Sequence, residues 1–414
     1  MPSNTFVFRR AYRAVTEALA DTRVVLINGA RQAGKSTLVR AIAGERAAEW
    51  RDLDLPQDRQ SALSDPVGFV AFDGLVVIDE IQRAPELLLA IKVSVDADPR
   101  PGRFLLTGSS RLLALRELPD TLPGRMETIE LWPFSQGEID QCQDSFIDRA
   151  FQLGQELRCE SAISRAGYAE RLVRGGLPEA VARTDDRRRG RFFDSYVQNV
   201  VDREIRQLAE IEKGPQLRSL IRLLAARSGM IVPPGSLESQ LAIARPTVAR
   251  YMSLLEEVFL IKRIPGWSRN LGTRATLAPK LFFVDSGIAA RLLALDAHAL
   301  RRPGAPFGPL LEGFVLSELA RQLSWSSELA DLYHYRDHNG VEVDAVLENR
   351  RGEVIGVEVK AASTVRSEDF HGLRQLAAKL GDDFIAGFVV YTGTATLPFG
   401  RKLRAVPVSA IWEL

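Results

Sequence analysis

Val24-Val25-Leu26-Ile27-Asn28-Gly29-Ala30-Arg31-Gln32-Ala33-Gly34-Lys35-Ser36-Thr37-Leu38 carries the strongest signal for the fold. A continuous apolar run ends in glycine, a glycine-bounded loop comes next, and a helix opens at STLVRAIA. The loop fits G-x-x-x-x-G-K-S. Such a loop needs glycine where backbone N–H groups turn inward around phosphate oxygens, a lysine to reach the β- and γ-phosphates, and a hydroxyl to hold Mg²⁺. Gly29, Ala30, Arg31, Gln32, Ala33, Gly34, Lys35, Ser36 and Thr37 are therefore the candidate nucleotide-binding residues, with Ser36 a metal ligand.

Further apolar runs occur at GLVVIDE (74–80), RFLLTG (103–108) and METIEL (126–131), separated by helical stretches. Buried strands alternating with helices predict a parallel α/β sheet. Leu75-Val76-Val77-Ile78-Asp79-Glu80 ends in two acids, placing Asp79 as a second Mg²⁺ partner and Glu80 as the residue that polarises the attacking water. Phe104-Leu105-Leu106-Thr107-Gly108-Ser109-Ser110 ends in small hydroxylated residues. Ser109 is the candidate contact to the γ-phosphate or the water, and Ser109 or Ser110 could equally cap the next helix. Arg125, in Pro123-Gly124-Arg125, is either a finger reaching a neighbouring subunit's nucleotide or a surface arginine.

GARQAGKSTL, LVVIDEIQRAPEL, FLLTGSSRLL, LPGRMETIELWPFS and RGGLPEAV together resemble a large family of predicted bacterial and archaeal AAA+ ATPases, and the resemblance extends over most of the chain. It implies a sheet of order 5-1-4-3-2, a helical lid, nucleotide at an inter-subunit or inter-domain cleft, and ATP hydrolysis with Mg²⁺. Many such lids carry an arginine after a glycine pair to sense the γ-phosphate. Here Gly175-Gly176-Leu177-Pro178 puts a proline there, leaving Arg174 as the substitute.

At 414 residues the chain predicts several domains, and 46% hydrophobic with 26% charged residues excludes a wholly disordered or collagen-like chain. The expected units are the ATPase core (1–134), a helical lid (135–182), a basic winged-helix region (183–300) and a nuclease-like α/β domain (301–414). Two cysteines make no disulfide framework, which predicts a reducing compartment and a cytoplasmic protein. No apolar run approaches membrane-spanning length, so no membrane partner is expected. The net charge of +1 hides an asymmetry: seventeen basic against ten acidic residues over 183–274, thirteen against fifteen over 301–414. Only eight residues are lysine, so each lysine's place is informative.

Within 214–267 the apolar spacing predicts three helices, LRSLIRLLAARS, SLESQLAIA and PTVARYMSLLEEVFL, and then the strand LIKRI. That is a winged helix-turn-helix layout, also found in the family it resembles. Arg245, Thr247 and Arg250 lie at the start of the third helix, where side chains reach a DNA major groove. The same layout also serves as a protein-contact module, and the local positive charge favours nucleic acid. Arg187-Arg188-Arg189 with Arg191 is a phosphate contact or a solvated face.

Near the C-terminus, DLYHYR (331–336), VEVDAVL (341–347) and EVIGVEVK (353–360) predict a meander turning at Asn339-Gly340 and Arg351-Gly352. Glu358 and Lys360 share one face of their strand, with Asp344 on the neighbouring strand and Glu312 on an upstream helix. Two carboxylates beside a lysine can hold Mg²⁺ and activate water. The D-x13-E-x-K spacing resembles the PD-(D/E)xK nuclease fold, which implies metal ligation by Asp344, Glu358 and Glu312 and a catalytic Lys360. A surface charge ladder is the alternative. The combined expectation is an oligomeric, ATP-driven DNA-processing protein with DNA as partner. The competing one is a nucleotide-dependent signalling or protein-remodelling switch.

Overall fold

The computed structural model describes residues 7–108, 122–205 and 214–414. Five strands, β1 (Val24–Gly29), β2 (Ala48–Asp52), β3 (Leu75–Asp79), β4 (Phe104–Thr107) and β5 (Met126–Leu131), form one sheet in the order β2-β3-β4-β1-β5. Every pairing is parallel. The order is the one the resemblance implies. β1, β3 and β4 are buried at every position, which is why they read as unbroken apolar runs. Separate apolar clusters cover the two faces of the sheet, one around Ile91 and Phe104, the other around Val15, Val39 and Leu105.

The helices Gly214–Ala226, Pro234–Leu241 and Arg245–Glu257 lead into an antiparallel pair, β6 (Ile261–Ile264) and β7 (Lys280–Phe283). A second sheet has the order β12-β13-β11-β10-β9-β8, built from β8 (Ala330–Arg336), β9 (Glu342–Asn349), β10 (Val354–Lys360), β11 (Phe384–Tyr391), β12 (Leu397–Pro398) and β13 (Leu403–Pro407). β8, β9 and β10 form the expected antiparallel meander, and β10 pairs in parallel with β11.

The segment 135–182 packs with the middle and C-terminal parts of the chain. One contiguous core runs from Trp132 and Phe146 through Leu255 and Phe314 to Trp412. Its axis is the helix Phe307–Gln322, buried nearly all round, which a helix with partners on every side must be. Tyr168 and Phe314 both pack edge-on against Trp412. The loop between β6 and β7 is also docked: Trp267 is buried beside Tyr335, its backbone N–H donates to the His334 carbonyl at 2.6 Å, and Arg274 forks onto both oxygens of Glu348. This loop covers the edge of β8, where unpaired backbone groups would otherwise face solvent.

Candidate nucleotide site and C-terminal carboxylate cluster

The loop from Gly29 to Ser36 joins the end of β1 to the helix Lys35–Ala43. Gly29 has φ 146°, and a Cβ there would lie 2.1 Å from the Leu131 carbonyl oxygen, so the loop's first glycine is required by the closeness of β5. Gly34 caps the helix at φ 97°. Lys35 is buried, and its Nζ donates to the carbonyls of Gly29 (2.9 Å) and Ala30 (3.1 Å). Burial lowers its pKa, against the pull of Glu80, Glu204 and Asp79.

The Ser36 hydroxyl donates to Asp79 Oδ1 at 3.1 Å, so the two expected metal ligands are adjacent. A hydroxyl beside a carboxylate suits Mg²⁺, which takes few protein oxygens and keeps several waters. Glu80 comes after Asp79 in a left-handed conformation (φ 60°), which turns its side chain out of the strand line to accept from Gln82. Ser109 and Ser110 lie outside the described residues. Thr107, two positions earlier, is wholly buried: its hydroxyl donates to Asp79 Oδ1 and accepts from the Glu80 N–H at 3.0 Å. It ties both acids to the end of β4, a role the strand's hydroxylated end hinted at without singling it out.

Other parts of the chain grip the loop. Arg9 is buried and donates to the Ala33 carbonyl (2.6 Å), the Trp132 carbonyl (2.6 Å) and Glu138 (3.1 Å). Tyr196 donates to the Arg31 carbonyl at 3.3 Å, and Arg31 pairs with Glu204 at 3.2 Å. Glu204 sits in a π-helical turn, Val200–Ile205, the kind of irregularity often found at functional sites. Phe259, at φ 54°, packs on Ala30 and Ala33. Gln32 and Thr37 are exposed. No local pattern marks Arg9, Tyr196, Glu204 or Phe259 as site residues.

Both arginine candidates have partners within the chain. Arg125 binds Asp96 of its own chain through Nε (2.6 Å) and a second nitrogen (3.1 Å). Arg174 donates to Gln136 at 2.7 Å and lines a cavity that contains no phosphate-loop residue, so it does not replace the missing lid arginine. The residue that does lie beside the loop is Pro178, 3.9 Å from where a Cβ on Gly34 would sit. Its turn is fixed by Asp285, a buried carboxylate accepting from the N–H groups of Gly176 (2.7 Å), Leu177 (2.9 Å), Gly287 (2.8 Å) and Ile288 (3.2 Å).

Arg245 and Arg250 are exposed and Thr247 half-buried at the start of their helix, as a surface contact requires. Much of the local positive charge is internally paired: Arg218 with Asp202, Arg263 with Glu256, Arg269 with Asp383, Lys262 with Glu130.

In the C-terminal domain Asp344, Glu358, Lys360 and Glu312 do come together, but around an ammonium. Lys280, at the start of β7 and 0% exposed, reaches Glu312 (2.6 Å), Asp344 (2.9 Å) and Glu342 (3.2 Å). The other Asp344 oxygen accepts from the Val359 N–H at 2.9 Å, and Glu358 pairs with Lys360 at 2.9 Å. Burial alone would lower the Lys280 pKa, yet Asp344, Glu312 and Glu342 outweigh it and push it upward. Burial and the charge of Asp344 push Glu312 well above the ordinary carboxylate range. The expected metal ligation by Asp344, Glu358 and Glu312 does not fit this arrangement, because the position between the carboxylates is taken by a fixed positive charge. Among the described residues no cluster of three or more His, Cys, Asp or Glu side chains is arranged to hold a metal ion.

Comparison with known proteins finds family matches along successive stretches of the chain. Residues 165–299 match a domain of unknown function (DUF8612), and residues 307–411 match another (DUF4143). Uncharacterized protein Rv2008c of Mycobacterium tuberculosis is 29% identical over 406 residues, covering 97% of this chain and 84% of the relative. Uncharacterized protein Mb2031c of Mycobacterium bovis matches to the same extent. Among solved structures, the Walker-type ATPase PABY2304 of Pyrococcus abyssi is 17% identical, covering 70% of this chain and 97% of that one, at a TM-score of 0.45. AMPPCP-bound DnaA of Aquifex aeolicus is 14% identical, covering 61% and 90%, at 0.31. Among the described residues no helix is long and apolar enough to cross a membrane. Residues 21–140 match the family described as an AAA domain, and this is the stretch that holds the phosphate loop with Ser36, Asp79 and Thr107 around it.

Proposed function

We propose that the protein hydrolyses ATP with Mg²⁺ and uses the nucleotide state to move its middle segment. The observation that carries this reading is the placement of Lys35, Ser36, Asp79, Glu80 and Thr107 around one loop, with Phe259, Tyr196 and Glu204 of the middle segment touching that loop. Lys35 exchanges its carbonyl partners for β- and γ-phosphate oxygens. Ser36 and Asp79 would hold Mg²⁺, which when bound neutralises phosphate charge. Glu80 orients the attacking water, and Thr107 holds Glu80 and Asp79 in register. A phosphate change at the loop reaches the helix Arg245–Glu257 through Phe259, two residues beyond its end.

DNA is the partner we favour for that helix, through Arg245, Thr247 and Arg250, and assembly into a homo-oligomer would release Arg125 from Asp96 for a neighbour's nucleotide. The docked β6–β7 loop and the lysine-filled carboxylate cluster support a second reading, in which the later domains contact protein. ATP turnover measured with and without linear and branched DNA separates the two. Stimulation lost in Arg245→Ala/Arg250→Ala supports the DNA reading, and a rate indifferent to every DNA removes it. Loss of turnover in Lys35→Ala tests the ATPase assignment itself.

A further inference from the structure

A cavity of about 700 Å³, with no phosphate-loop residue in its lining, lies between the helices Arg165–Arg174, Asp186–Asn199 and Ala297–Leu300. Its walls carry four arginines, Arg171, Arg174, Arg189 and Arg301, against two acids, Glu170 and Asp186. Arg171 and Arg174 both donate to one neutral acceptor, Gln136 Oε1, at 3.1 and 2.7 Å. Arg171 also has Asp140 at 2.7 Å. Among the described residues Arg174 has no carboxylate within ion-pair distance, and its Nε is buried without an acceptor. Burial, then the neighbouring Arg171 and Arg189, push the Arg174 pKa down. A half-buried guanidinium held by a single amide oxygen beside Arg171 and Arg189 is costly unless an anion completes the group.

We propose that this cavity binds a small phosphorylated anion. Guanidinium forks match phosphate oxygens two at a time, and the volume lies in the range of small-molecule sites. The concave, helix-walled shape favours a small ligand over a nucleic-acid backbone. The site has a physical route to the ATPase. Arg189 and Tyr196 lie seven residues apart, on the same face of one helix, so the helix that lines the cavity also donates to the Arg31 carbonyl of the phosphate loop.

The test is calorimetric titration of inorganic pyrophosphate into the full-length Lys35→Ala protein, in which the phosphate loop has lost its own clamp. Saturable one-to-one binding is expected. It should weaken at least tenfold when Arg301→Glu and His298→Glu, two exposed wall positions, are added, and should also be lost in Arg174→Gln. Absence of saturable binding overturns the proposal, as does binding unchanged by the exposed pair, whatever Arg174→Gln does to the fold. Displacement of pyrophosphate by a short DNA duplex would overturn the small-molecule assignment.

Discussion

Replacing Lys280 with methionine keeps a long side chain in the same space and removes one charge. In the wild type that charge is within 2.6 Å of Glu312, 2.9 Å of Asp344 and 3.2 Å of Glu342. Glu342 is about one third exposed and can turn to water, so the loss falls on Glu312 and Asp344. Breaking a buried pair by removing one partner costs about 3–5 kcal/mol, because the other charge is left without compensation. Glu312, already pushed upward, relieves part of this by taking a proton. The expected destabilisation at neutral pH is therefore at the lower end, about 3 kcal/mol. The sign of its pH dependence comes from linkage. Without the ammonium Glu312 titrates still higher in the folded state than unfolded, so its contribution to folded stability is present below its unfolded pKa and is lost as pH rises. The deficit of Lys280→Met should shrink toward pH 5 and grow toward pH 8. Urea unfolding followed by tryptophan fluorescence reads it, since Trp267 and Trp412 are both buried. Adding Asp344→Asn should recover part of the loss, as coupled neighbours do. A loss below about 1 kcal/mol, flat with pH, would refute the account of the cluster as a lysine-held ion group.

Thr107→Val should lower turnover by roughly ten- to a hundredfold with little change in the KM for ATP, because the hydroxyl positions Asp79 and Glu80 and does not bind substrate; unchanged kcat counts against it. Asp285→Ala leaves the buried Gly176 and Leu177 N–H groups unpaired, and thermal or urea unfolding should show a loss of about 3 kcal/mol. His334 is held neutral, its pKa pulled down to about 4 by burial, with Nε2 on the Ala278 carbonyl. Its contribution is therefore present above the unfolded value of about 6.5 and is lost as pH falls toward 4, up to about 3 kcal/mol. His334→Gln should flatten that part of the stability–pH curve, and an unaltered curve contradicts the assignment. Arg9→Gln should weaken ATP binding by loosening the Ala33 carbonyl from its guanidinium, measurable as a raised Kd in a protein of unchanged circular dichroism.

The phosphate-loop domain is legible because its chemistry is local. Phosphate must be cradled by successive backbone N–H groups, so Gly29 to Ser36 are contiguous, and Asp79 and Glu80 end an apolar strand that can be recognised by eye. Thr107 stands in plain view in FLLTG, yet the hydroxyls beyond the glycine draw the reading to Ser109. Arg9, Tyr196, Glu204 and Phe259 approach the loop from elements far along the chain, and a side chain that meets its partner only by folding leaves no spacing to read. The C-terminal acids show the limit best. Strand periodicity finds Asp344, Glu358 and Lys360, and the structure brings them together with Glu312. Lys280 stands 64 residues before Asp344, at what reads as an ordinary strand start.

Periodicity and contiguous spacing are enough to encode the parallel order of buried strands, the phosphate loop with its acids, and the grouping of the later carboxylates, and all of these can be read from the chain alone. The company those groups keep emerges only in three dimensions. The middle segment rests on the phosphate loop, the helical segment 135–182 shares a core with the C-terminus, and a lysine from β7 sits where a divalent cation was expected. One physical cause underlies all three. Charge compensation and apolar burial depend on distance in space, and β7 and β9 come within reach of each other only once the helix Phe307–Gln322 packs between the sheets as their shared core.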